Sequence, residues 1–95
     1  MITYYRMADQ DQYQLLMSEI IAQAAVILGP DIAVLKARNV AELVIDNRGK
    51  VLDIKGEPSE VLQKLIDEYI ALSGLIVKNA MKPIFEKYPS ITINK

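Results

Sequence analysis

Ninety-five residues suit one domain with one core. Eleven basic and twelve acidic residues leave a net charge of −1, so no strong field draws the chain to nucleic acid or an anionic membrane. With no cysteine and no histidine, disulfides, thiolate chemistry, Ser-His-Asp or Cys-His pairs and histidine metal sites are excluded.

The apolar set is aliphatic: 13 Ile, 10 Leu and 7 Val accompany one Phe and no Trp. The opening "MITYYRMADQDQ" lacks the n-region and h-region of a signal peptide, and no stretch reaches the roughly 18 apolar residues of a bilayer span. A cytoplasmic location is the expectation.

"ADQDQYQLLMSEIIAQAAVIL" predicts a first helix starting near Asp9 or Asp11, where a carboxylate suits the positive helix end. Gln12, Ser18, Glu19 and Gln23 form a narrow polar stripe that stops at Gln23. Ala24 to Leu28 are apolar all round, the pattern of a helix end buried on every side. Gly29 ends this helix and Pro30 opens the second, which runs to about Asn39. Asp31 near its start and Lys36 and Arg38 near its end agree with the helix dipole.

"AELVIDNRGKVLDIKG" changes the period to 2 and predicts a β-hairpin. Leu43 and Ile45 share one face of the first strand, Leu52 and Ile54 one face of the next, and Gly49 takes positive φ in the "DNRGK" turn. "EPSEVLQKLIDEYIALSG" predicts a third helix opened by Pro58, with Val61, Leu62, Leu65, Ile66, Tyr69 and Leu72 as its apolar stripe. Glu60–Lys64 and Lys64–Glu68 are spaced as i,i+4 pairs on the wet side. Ser73-Gly74 weakens the helix, and "LIVKNAMKPIFEKYP" continues as a fourth, with Val77, Ala80, Met81, Ile84, Phe85 and Tyr88 inside and a kink or restart at Pro83. "MITYYR" and "SITINK" alternate like short strands able to pair. The expected fold is α+β, mostly α: four short helices in two helix-elbow pairs separated by a central β-hairpin. It forms a single domain over 1–95, with 1–8 and 90–95 as extended or flexible ends.

No enzyme mechanism emerges, and no cofactor or metal is expected. Ser18, Ser59 and Ser73 have no base beside them, and Glu42, Asp46 and Asp53 read as carboxylates that keep the hairpin's outer face wet. Asp9 and Asp11 lack the spacing of a calcium loop and read as caps. "NRGK" has one glycine and cannot form a phosphate cradle, and Lys78, Lys82 and Lys87 read as a solvated face. "ILGPDIAVLKAR" resembles the Leu-Gly-Pro-x-x-Ala helical elbows of accessory modules in bacterial signalling proteins, a likeness confined to these residues that implies regulation.

The elbow is therefore the feature that bears on function. Ala24, Ile27, Leu28, Ile32 and Leu35 are the interface candidates of a homodimer, since so few layers cannot cover both sides of the apolar run. The expected role is a non-enzymatic protein–protein interaction or regulatory module. The alternative is a small-molecule sensor whose aliphatic pocket is lined by Ile27, Leu28, Ile32, Leu72 and Ile76.

Overall fold

The structure, a computed structural model, describes residues 4–88, with side chains from residue 11 onward. Its elements in chain order are α1 (Tyr4–Leu28), α2 (Pro30–Arg38), β1 (Leu43–Ile45), β2 (Val51–Ile54) and α3 (Pro58–Glu86). The fold is α+β and mostly helical, with the antiparallel hairpin where its turn chemistry places it.

There are three helices rather than four. The third and fourth run on as one element with a sharp kink, since only Ser73 (φ −144°, ψ 31°) and Gly74 (φ 7°, ψ −91°) leave helical geometry between them. The chain bends there and not at Pro83, where the backbone keeps helical angles. Proline forfeits one hydrogen bond, and so close to the end of α3 the helix absorbs that loss.

α1 also begins earlier than its acidic residues suggest. Its first turn carries no acidic residue, so Asp9 and Asp11 lie along the helix rather than at its start. Tyr4 to Arg6 are helical and not a strand. Six alternating residues span less than two helical turns, too few for periodicity to separate the two states. The "SITINK" tail lies outside the described residues.

α1 is the element on which the others assemble, touching α2, β2 and α3. Leu16, Met17, Ile20, Ile21 and Ala24 form its buried stripe. Ala33 and Ala37 of α2, Val61, Leu62, Leu65, Ile66 and Tyr69 of the first half of α3, and Val77, Met81 and Ile84 of its second half complete the core. Each large aliphatic side chain so buried contributes about 1.5–3 kcal/mol against exposure. Leu72, the last member of the expected stripe, is exposed because it meets the bend.

The hairpin departs from simple alternation. Leu43 pairs with Ile54, Val44 with Asp53, and Ile45 with Val51, so Leu52 is an extra residue on β2. This bulge turns Val51 inward and Leu52 outward, reversing the expected place of Leu52. α1 satisfies the backbone freed beside it. Ser18 Oγ accepts from the Val51 N–H at 3.0 Å, and Gln14 Nε2 donates to the Leu52 carbonyl at 3.5 Å. A two-stranded hairpin is marginal alone, and here it is held by α1 and its own buried face.

Gly49, at φ 89°, packs its backbone onto α1, where an added Cβ would stand 2.7 Å from Ile21 Cγ2. Gly29, at φ 96°, has open space around it. Gly49→Ala should therefore lose about 2–4 kcal/mol, a backbone cost plus overpacking, and Gly29→Ala about 1–2 kcal/mol. Urea titration of both variants checks this; equal losses would mean that the Ile21 contact relaxes freely.

Candidate interaction surface

Several polar side chains are committed to structural partners. Lys64 makes no hydrogen bond to Glu60 or Glu68 along its own helix, although the Glu60 charge also favours its ammonium. It reaches Glu42 at 2.6 Å across the chain, while Glu68 accepts from Asn39 at 3.2 Å. Hydrogen bonding to Lys64 holds the Glu42 carboxyl below the ordinary range and raises the Lys64 ammonium. Asp46 accepts from the backbone N–H groups of Arg48 (2.8 Å) and Lys50 (2.9 Å), which closes the hairpin turn. The Lys50 amide is the main cause of its lowered pKa. Asp53 accepts from the Ile54 N–H, and Ser59 donates to Glu57. The three hairpin carboxylates thus hold separate partners and form no acid–base pair. Among the described residues, no group of three carboxylates is placed to hold a metal ion.

Lys87 is not part of a free basic face. It forms an ion pair with Glu19, and the Tyr88 hydroxyl donates to the other oxygen of the same carboxylate at 2.6 Å. The bond from Lys87 and then that from Tyr88 hold the Glu19 carboxyl below its ordinary pKa. Partial burial, with Glu19 beside it, pushes Tyr88 up to about 12. This pair fastens the end of α3 to the middle of α1.

The apolar run does not behave as one buried unit. Ala24 belongs to the core, Ile27 and Leu28 are half-buried, and Val26 is 79% exposed. The expectation of burial on every side is therefore corrected: α2 and α3 cover one side of the end of α1 and leave the other open. Ile32 and Leu35 are exposed as well, at 42% and 58%.

A second group surrounds the bend of α3: Leu72, Leu75 and Ile76, the last two 72% and 64% exposed. The Tyr69 hydroxyl donates to the Ala33 carbonyl at 2.6 Å, so the turn of α3 before the bend sits against α2 just past the elbow. Elbow and bend consequently lie at the same end of the molecule. Ile32, Leu72 and Ile76, expected to line a ligand pocket, are exposed at the surface. A shallow open groove beside the elbow includes Leu35 but also Asp31, Arg38 and Asn47. Val26 and Leu75 escape the sequence reading. The i, i+3, i+4 spacing of Leu72, Leu75 and Ile76 is the signal that marks Leu75.

No helix among the described residues is long and apolar enough to cross a membrane. Comparison with family models, curated proteins and solved structures gives no match, so function rests on the chain's own residues.

Glu19 supplies a pH test. A carboxyl held below its ordinary pKa contributes stability that is fully present above about pH 4.5 and lost as pH falls through the lowered value. Stability against urea should fall below that pH, and Glu19→Gln should flatten part of the decline, leaving the share of Glu42 and Asp46. An unchanged pH profile in Glu19→Gln would show that the fastening carries no weight.

Proposed function

We propose that this chain is a non-enzymatic protein–protein interaction or regulatory module acting as a homodimer through the elbow–bend end. The observation that carries the reading is the gathering of Val26, Ile32, Leu35, Leu72, Leu75 and Ile76 outside the core. Single exposed aliphatics are ordinary, but a concentration at one end of a small domain marks an association surface. The surface mixes these side chains with Asp31, Lys36 and Arg38, as a self-complementary patch on a two-fold axis can. The interface expected at Ala24, Ile27, Leu28, Ile32 and Leu35 shifts outward in this reading: Ile32 and Leu35 stay, Val26 and the bend join them, and Ala24 holds the core.

Light scattering on the eluting protein tests this directly. The expected mass is twice the 10.7 kDa of the chain at micromolar concentration. Ile32→Asp should keep the helical circular dichroism and run as a monomer. Ile20→Asp, which places an unpaired charge in the core, should unfold the chain. A wild-type monomer at micromolar concentration would overturn the reading.

A further inference from the structure

α3 has helical geometry on both sides of Ser73–Gly74 and departs from it only at these two residues. Their dihedral angles decide whether the second half turns onto α1 or runs on in line with the first. In the bent form, Val77, Met81 and Ile84 are buried, and Lys87 and Tyr88 are fastened to Glu19. Leu72, Leu75 and Ile76, which flank the bend, remain in solvent.

Their spacing matters. In an unbroken helix, i, i+3 and i+4 fall on one face, so straightening α3 would gather these three side chains into a single apolar stripe. The bend splits that stripe. Gly74 makes the bend available, because glycine is the poorest helix former after proline. A Cβ at position 74 would meet nothing within 4 Å, so no packing contact demands glycine there.

We propose that α3 is exchanged between two copies of the chain. Ser73 and Gly74 take helical angles, and the second half of α3 swings out to occupy the same seat on α1 of the other copy. Val77, Met81, Ile84, Lys87 and Tyr88 remake between chains every contact they make within one. Leu72, Leu75 and Ile76 of the two straightened helices then face each other across the two-fold axis. An element hinged at two residues, with its own seat as the docking site, is the low-cost route to such a dimer. This rests on the homodimer reading and adds the mode of pairing.

The native Glu19–Lys87 pair reports the exchange without any substitution. Unlabelled and 15N-labelled chains are unfolded and refolded together, coupled with a carbodiimide, digested and weighed. Exchange predicts that the linked peptides containing Glu19 and Lys87 carry mixed labels, in the proportion that random pairing gives. Gly74→Ala, present twice per dimer, should tighten the dimer on the order of 30-fold. Linked peptides of uniform label from a protein that light scattering shows to be dimeric would overturn the exchange and leave the homodimer standing. A wild-type monomer at micromolar concentration would overturn both.

Discussion

The Tyr69 hydroxyl is carried into a core otherwise built of aliphatic side chains, and it donates there to the carbonyl of Ala33. A hydroxyl without a partner in that setting costs about 1–3 kcal/mol, so the bond dictates where α3 crosses α2. Burial raises the Tyr69 pKa well above 10, which keeps the group a donor throughout the working pH range. Ala33 and Ala37 are small enough to admit the ring, and α2 is short enough that its elbow lies close by. One crossing point thus sets two features. It closes the core over α1, and it leaves the elbow and the bend of α3 together at one end.

Two weaker links complete the frame. Gly49 presses the hairpin turn onto Ile21, while Ser18 and Gln14 take up the backbone groups beside the bulge at Leu52. Glu19 draws the end of α3 back to α1 through Lys87 and Tyr88. These surface contacts contribute modestly one by one. Their effect is to orient elements whose buried aliphatic faces supply most of the stabilisation.

Features governed by neighbours in sequence were legible. Pro30 and Pro58 open helices, "DNRGK" makes the turn, and the stripe from Val61 to Tyr69 is buried as its spacing indicates. Features governed by distant residues were not. The bulge at Leu52 depends on Ser18 and Gln14, and the partner of Lys64 is Glu42, which lies outside its own helix. The burial expected for the whole run from Ala24 to Leu28 fails for a related reason: exposed aliphatic residues such as Val26 and those facing a core look alike along the chain. Ile32 and Leu35 are legible because the Gly29-Pro30 break fixes the elbow that carries them. Leu75 belongs to a stripe that exists only if α3 is read as one helix across Ser73–Gly74.

The proposed role requires that a second chain cover the elbow–bend end. Amide hydrogen exchange of the wild type, followed by mass spectrometry at nanomolar and at high micromolar concentration, measures this most directly. Protection in segments 26–35 and 71–77 should rise with concentration, while the hairpin turn at 46–50 exchanges alike at both. Exchange in the elbow and bend that is indifferent to concentration would contradict it.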